Sequence, residues 1–181
     1  MSNIVIISGS PTQPSRSYAI ASYLNKLLST QGHQIEQINV RDLPPEDLIY
    51  ANFNSPAVNQ ALEKVKQAHA LIVISPVYKA SYTGVLKTFF DLIPEKGLAE
   101  KVILPIANGG SIAHLLSLEY SFKPLFSILG SQEILSGVYL LESQFSYKEN
   151  ELTFIESELE KRIQTAIENL LAKLKEIEPS L

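Results

Sequence analysis

The sequence has 181 residues, of which 45% are hydrophobic and 19% are charged, and its formal net charge is −4 at pH 7. This length is enough for the core of one domain, and the composition excludes a disordered protein. The negative charge excludes a general attraction to nucleic acid or an anionic membrane, and the lack of cysteine excludes disulfides, thiolate metal sites and thiol catalysis.

Apolar runs alternate with helical patterns along the chain, which is typical of a parallel sheet with helices on both faces. The apolar runs predict five strands, over residues 4–8, 34–40, 70–75, 102–107 and 132–141. The first is almost continuous in valine and isoleucine, as a strand covered on both faces should be. The second alternates only weakly, which favours a place at the edge of the sheet.

Helices are predicted between these strands from the spacing of apolar residues, over residues 15–29, 57–67, 82–92, 113–129 and 156–177. Residues 44–56 are predicted to be a connection interrupted by prolines, and residues 143–153 a polar excursion. Strands and helices in this order predict a single α/β domain over residues 1–181.

The first residues show no export signal, because a basic segment, an apolar run and a small-residue cleavage site are all lacking. No apolar run approaches the roughly 20 residues that span a bilayer. We therefore expect a cytoplasmic protein whose partners include neither nucleic acid nor a membrane.

The loop after the first strand, SGSPTQPSRS over residues 8–17, combines hydroxyls, a guanidinium and a helix N-terminus. Backbone N–H groups at a helix N-terminus bind phosphate readily, and serine hydroxyls can donate to its oxygens. The dinucleotide fingerprint and the lysine-containing loop of nucleotide triphosphatases are absent, which favours a single phosphate. A serine- and proline-rich turn with a helix cap explains the same residues without a ligand.

Two further loops follow the third and fourth strands, at the edge where parallel sheets bind ligands. Residues 76–87, PVYKASYTGVLK, carry two tyrosines and small residues that can lie against a flat ring. Residues 108–114, NGGSIAH, carry paired glycines that let the backbone approach a ligand. Each loop alone also fits ordinary residues at the rim of a sheet, and His114 also fits a polar residue satisfied by the backbone.

Taken together, the three loops resemble the NADPH-dependent FMN reductase family. The shared motifs are G-S-x-x-x-x-S-R-S, then P-V-Y-K-A-S-Y-x-G-x-L-K-x-x-x-D, then G-G-S. Within this family the chain is most similar to the flavin reductases of bacterial alkanesulfonate utilisation, as far as about Gln144. The resemblance implies a flavodoxin-like three-layer α/β fold with a five-stranded parallel sheet of order 2-1-3-4-5.

The resemblance also implies a role for each loop. The FMN phosphate would bind to the first loop, at Ser10, Ser15, Arg16 and Ser17. The isoalloxazine ring would be bordered by the other two loops, at Pro76, Val77, Tyr78, Lys79, Gly109, Gly110 and Ser111, with His114 close by. No metal site is implied, and hydride transfer to flavin requires position rather than a catalytic acid or base.

The implied activity is that of an NAD(P)H:FMN oxidoreductase. FMN would act as a substrate or a loosely bound cofactor, and NADPH, or alternatively NADH, would supply the hydride. Members of the family are commonly homotetramers and pass reduced flavin to a two-component monooxygenase. Three alternatives are a quinone or azo-compound reductase of the same fold, a flavodoxin-type electron carrier, and a phosphate-binding module. The modest charge disfavours the carrier. A regulatory module of the receiver type needs an acidic cluster near the end of the first strand, and the sequence has none there.

One proline lies inside the predicted helix 113–129. Pro124 has no N–H for the carbonyl of Tyr120, which predicts a kink or a wide turn. We expect a buried face formed by Leu115, Leu118, Phe122, Leu125 and Leu129. Leu116 and Tyr120 lie on another face, and close relatives have a tyrosine insertion with a wide turn here. The hypothesis is that Tyr120 crosses a subunit interface and loosens flavin binding, although a packed tyrosine beside a kink fits nearly as well.

Overall fold

A computed structural model describes residues 2–149 and 151–177, which surround a parallel sheet of strand order β2-β1-β3-β4-β5. The strands of this sheet are β1 (Asn3–Ser8), β2 (Gln34–Asn39), β3 (Ala70–Pro76), β4 (Val102–Gly109), β5 (Glu133–Ile134) and β6 (Val138–Leu141). The predicted order is confirmed, and β2 lies at the predicted edge. The predicted domain 1–181 also includes Met1, Asn150 and residues 178–181, which lie outside the described residues.

The fifth position of the sheet holds two short strands, so the single strand predicted over residues 132–141 is wrong. Both β5 and β6 pair in parallel with β4. The Ile103 carbonyl of β4 accepts from the Leu135 N–H at 2.9 Å, and Pro105, two residues further on, faces the same neighbour without an N–H. Gly137 passes so close that a Cβ would lie 2.8 Å from the Pro105 carbonyl oxygen. The ladder is therefore interrupted opposite the proline.

Helices cover both faces of this sheet. They are α1 (Arg16–Thr30), α2 (Pro45–Ile49), α3 (Pro56–Gln67), α4 (Gly84–Phe90), α5 (Lys123–Ile128) and α6 (Ser157–Ile177). Buried side chains of α1 and α6 pack on one face, and those of α3, α4 and α5 on the other, which gives three layers. The prediction of a connection without helix over residues 44–56 is wrong, because this stretch contains the short α2. Pro45 is compatible with a helix here, since it occupies the first turn, where a missing N–H costs nothing. α4 is shorter than predicted.

The helix predicted over residues 113–129 is divided into three pieces. A 3-10 turn, Ile112–His114, is followed by a π-helix, Leu118–Phe122, and then by α5. The Lys123 N–H donates to the Leu118 carbonyl five residues earlier, immediately before Pro124. The predicted wide turn at the proline is confirmed. The predicted buried face is wrong at Leu115, which is 43% exposed because it lies before the π-helix.

The predicted polar excursion 143–153 is instead an antiparallel hairpin in its described residues. It is formed by β7 (Phe145–Lys148) and β8 (Glu151–Phe154). Phe145 is buried, and the Phe154 ring meets the Tyr23 ring of α1 edge to face at 5.2 Å. This contact fixes the hairpin against α1, beside the end of the sheet.

A buried lysine ties α3 to the start of β4. Lys101 is only 8% exposed, and its Nζ donates to the carbonyls of Lys66 and Ala68 at 2.9 and 2.8 Å. Burial lowers the pKa of this amine. Lys101→Met keeps the length of the side chain but leaves both carbonyls without this donor. It should lower the free energy of unfolding in urea by about 1–3 kcal/mol. The same change at exposed Lys161 should alter it little.

Candidate active site

Three loops meet at the carboxyl edge of β1, β3 and β4, and a cavity of ≈ 120 Å³ opens between them. Ligands of open parallel sheets bind at this edge. The cavity is lined by Ser10, Thr12, Pro14, Ser15, Arg16, Ser17, Pro76, Tyr78, Asn108, Glu142 and Tyr147.

The N-terminus of α1 forms one wall of the cavity. Ser15 is the N-cap, and its Oγ accepts from the Tyr18 N–H at 3.1 Å. Arg16 and Ser17 lie in the first turn, where backbone N–H groups have no carbonyl one turn earlier to bind. These N–H groups and the positive end of the helix dipole favour an anion at this wall.

Asn108 connects the three loops. The Ser17 hydroxyl donates to Asn108 Oδ1 at 2.7 Å, and the Asn108 carbonyl accepts from the Val77 N–H at 2.8 Å. Asn108 is 2% exposed, so the end of β4 holds both the helix and the loop after β3. Because the Ser17 hydroxyl hydrogen is engaged, Ser17 would meet an anion through its backbone N–H.

The first loop is packed tightly against α4. The Gly9 N–H donates to the Ile74 carbonyl at 2.8 Å, and the Gly9 carbonyl accepts from the Thr83 hydroxyl. A Cβ on Gly9 would lie 2.7 Å from the Leu86 side chain, so only glycine fits without movement. Ser10 then turns inward, and its Oγ accepts from the Thr12 N–H at 3.3 Å.

Arg16 is the only arginine among the described residues that line the cavity. Its Nη1 lies 3.5 Å from Glu142 Oε2, and its Cζ lies 5.7 Å from the centroid of the Tyr147 ring. Both charged side chains are more than one-third exposed. The Nε of Arg16 is buried and has no hydrogen-bond partner among the described residues.

The loop after β3 is a tight turn with a strained backbone. The N–H of Tyr78 donates to the Ser81 carbonyl at 2.8 Å, and the return bond measures 3.2 Å. Lys79 and Ala80 between them have φ of 51° and 67°, in the left-handed region that disfavours side chains with a Cβ. The turn holds Tyr78, half exposed, at the cavity.

The loop after β4 is braced by a buried tyrosine. The Tyr139 hydroxyl donates to the Ser111 carbonyl at 2.7 Å, and it lies so close to Gly109 that a Cβ there would clash with it. Burial and the negative charge of Glu142 raise the pKa of Tyr139, which keeps the hydroxyl protonated as a donor. In place of the start of the helix predicted over residues 113–129 there is a short 3-10 turn, Ile112–His114, which the Ser111 Oγ caps by accepting from the Ala113 N–H.

Comparisons with known proteins agree on one family. A family model described as NADPH-dependent FMN reductase matches residues 2–146. The chain is 43% identical over 165 residues to an FMN reductase (NADPH) of Escherichia coli strain K12, which covers 91% of this chain and 86% of that protein. It is 47% identical over 146 residues to an FMN reductase (NADPH) of Pseudomonas putida strain KT2440, covering 81% and 74%. The chain belongs to the NADPH-dependent FMN reductase family.

The structure of this chain is similar to a solved structure, the apo form of the NADH:FMN oxidoreductase EmoB. The TM-score is 0.85 at 35% identity, and the match covers 94% of this chain and 88% of that chain. The predicted family and flavodoxin-like fold are confirmed. The predicted enzyme class is also confirmed: an NAD(P)H:FMN oxidoreductase whose reactants are FMN and a reduced nicotinamide nucleotide.

The predicted flavin-site residues of this FMN reductase family member fall into three groups. Those that line the cavity are Ser10, Ser15, Arg16, Ser17, Pro76 and Tyr78. Those that belong to the adjoining loops are Val77, Lys79, Gly109, Gly110 and Ser111. His114, at the end of the loop after β4, does not line the cavity but lines a second hollow with Ala80, Leu116 and Tyr120.

Sequence reasoning missed Glu142 and Tyr147, which line the cavity from the far side. An alternation of large apolar residues around a polar turn, FSYK and then ELTF, was a signal for the hairpin that carries Tyr147. Glu142 gave no signal, because only the packing of β6 beside β4 brings it to the cavity. Among the described residues, no group of three acidic or histidine side chains is placed to hold a metal, and no helix is long and apolar enough to cross a membrane.

Proposed function

We propose that this chain binds FMN with its phosphate in the cavity at the N-terminus of α1 and passes the reduced flavin to a partner monooxygenase. The observation that carries the proposal is the convergence of buried serines, first-turn N–H groups and a guanidinium on one small cavity. Sites for whole drug-sized ligands occupy about 300–1,000 Å³. A volume of ≈ 120 Å³ therefore suits the phosphate end, with the ring outside on the neighbouring loops.

The residues at the cavity fit a phosphate chemically. The buried Nε of Arg16 has no partner among the described residues, and a guanidinium binds phosphate through two parallel N–H donors. Ser15 is buried beside it and offers a hydroxyl, whereas the Ser10 hydroxyl already donates to the Thr12 carbonyl at 3.2 Å. These groups would donate hydrogen bonds to the phosphate oxygens, and the guanidinium would offset part of the phosphate charge.

The rest of the site would position the ring. Bound FMN supplies the hydride-accepting chemistry of the reaction. The turn at Tyr78 and Lys79 would border one side of the ring. The N–H groups of Gly110 and Ser111, held in place through Tyr139, would donate to its electronegative edge. No side-chain acid or base takes part in this scheme.

A flavin-dependent oxidation assay tests the function. The purified chain should oxidise NADPH or NADH when FMN is supplied and should release the reduced flavin to an added flavin-dependent monooxygenase. His114→Ala should keep kcat within about tenfold, because the loss of a general acid or base costs about 10²–10⁴-fold.

Turnover of a quinone well above that of FMN at matched concentrations would favour the quinone-reductase alternative. FMN that copurifies without exchange or NADPH oxidation would favour an electron carrier.

The setting we propose is bacterial sulfonate utilisation in the cytoplasm, with FMN as a substrate that leaves. The resemblance to flavin reductases of that system supports this setting. Loss of the gene should then prevent growth on an alkanesulfonate as sulfur source and leave growth on sulfate intact. Equal growth on both would contradict the sulfonate role but not the reductase activity.

An exposed apolar patch beside the second hollow supports the proposed homotetramer. Ile112, Leu116 and Tyr120 are 61%, 58% and 78% exposed around the start of the π-helix. Contiguous exposed apolar surface commonly marks a protein–protein contact. In the proposed assembly Tyr120 reaches a neighbouring subunit and loosens its flavin binding.

Tyr120→Ala should shift the protein to smaller assemblies, because the aromatic anchor of the contact is lost. Its KM for FMN should fall as well, because the contact that loosens flavin binding is then missing. Analytical ultracentrifugation and flavin titration would measure the two effects. Tyr50, 81% exposed after α2, provides the matched control, since Tyr50→Ala removes the same ring elsewhere. If assembly and flavin affinity stay unchanged in Tyr120→Ala, the tyrosine is only a residue of the helix surface.

A further inference from the structure

One acidic side chain lines a cavity that is otherwise built for an anion. Glu142 Oε2 lies 3.5 Å from Arg16 Nη1, and both residues line the cavity with Ser15 and Ser17. The carboxylate therefore stands next to the cation that we assign to the FMN phosphate. A phosphate bound to Arg16 would lie next to the Glu142 carboxylate, and because both groups are negatively charged they would repel each other.

Glu142 is held in this place by its own segment. It follows β6 directly and opens a 3-10 turn, Glu142–Gln144. The Gln144 amide closes this turn, because its Oε1 accepts from the Leu141 N–H at 3.1 Å and its Nε2 donates to Glu156 at 2.8 Å. The carboxylate is thus presented to Arg16 by a fixed backbone.

Arg16 is supported independently of Glu142. The Tyr147 ring lies under its guanidinium at 5.7 Å, on a hairpin anchored to α1 through Phe154 and Tyr23. An ion pair whose partners are 39% and 35% exposed contributes little to stability. Arg16 can therefore exchange one anion for another while the tyrosine keeps the guanidinium at the cavity.

We propose that Glu142 is a built-in competitor of the FMN phosphate for Arg16, and that it weakens FMN binding so that the reduced flavin is released. This inference rests on the proposed function, because it requires the phosphate to bind in this cavity. Glu142 acts through Arg16 and by repulsion, without contacting the reacting ring. Its effect is therefore specific to flavins that carry a phosphate.

Glu142→Gln tests this role, because it keeps the shape of the side chain and removes its charge. The Kd for FMN, measured by quenching of flavin fluorescence, should fall about fivefold, or roughly 1 kcal/mol at 1.4 kcal/mol per factor of ten. The Kd for riboflavin, which lacks the phosphate, should not change. Glu133→Gln, at the opposite end of the sheet, makes the same change in net charge and should leave both constants unchanged.

Arg16→Ala, measured in the same way, distinguishes a failure of the competitor role from a failure of the phosphate site. If Arg16→Ala weakens FMN relative to riboflavin but Glu142→Gln leaves the Kd for FMN unchanged or raises it, the competitor role is overturned and the phosphate site stands. If neither variant changes the ratio of the FMN and riboflavin constants, the phosphate is not bound here and both proposals fail. If the Glu142→Gln effect on FMN shrinks in the Arg16→Ala background, the coupling through Arg16 is supported.

Discussion

Arg16→Ala should raise the KM for FMN by about 10- to 100-fold, the range expected when a charged hydrogen bond of about 1.5–3 kcal/mol is lost. The kcat should stay within about threefold, since the phosphate lies far from the reacting ring and binds the ground and transition states equally. Steady-state rates of NADPH oxidation at varied FMN concentration give both constants. Arg16 is preferred over Ser15 because the Ser15 hydroxyl also caps α1, and its loss would change stability as well.

Two controls make this result specific to the phosphate. Riboflavin has the same ring without the phosphate, so its KM should change by less than about threefold in the same variant. Arg41 lies after the edge strand β2 and pairs with Asp42 at 3.6 Å, so Arg41→Ala removes an exposed guanidinium away from the cavity. An equal rise of KM for FMN and riboflavin would place Arg16 against the ring instead.

The parts of the site that the sequence predicted are set by short stretches of chain. The N-cap at Ser15 depends only on the residues that follow it, so the start of α1 was predicted to within one residue. The valine- and isoleucine-rich strand β1 was equally clear, because a strand buried on both faces needs no partner to be recognised. The position of the loop between β1 and α1 could therefore be predicted from the sequence.

The parts that could not be predicted depend on contacts between distant residues. Ser136 and Gly137 are a local signal for a break within residues 132–141, but its cause, Pro105, lies on the neighbouring strand. Glu142 reaches Arg16, 126 positions earlier by residue number (142 − 16), only because β6 lies beside β4. Such placements require the tertiary structure, which is why the charge balance of the cavity was missed.

Gly109→Ala should lower the free energy of unfolding by about 1–3 kcal/mol, the usual cost of forcing an extra methyl group into packed structure. The added Cβ would overlap the Tyr139 hydroxyl, which is 2.7 Å from the Ser111 carbonyl and cannot withdraw without breaking that bond. The backbone at Ser111 would then shift, so FMN turnover should also fall. Urea unfolding and the steady-state assay would measure the two losses.

Gly110→Ala is the matched control for this change, because the nearest atom to its added Cβ is Glu142 Oε2, at 3.9 Å. Its stability should stay within about 0.5 kcal/mol of the parent chain, as for an ordinary exposed substitution. Tyr139→Phe should partly restore the stability of Gly109→Ala, since removing the hydroxyl makes room for the methyl group. If the double variant is no more stable than Gly109→Ala alone, the clash is not with Tyr139, and the glycine serves the backbone conformation instead.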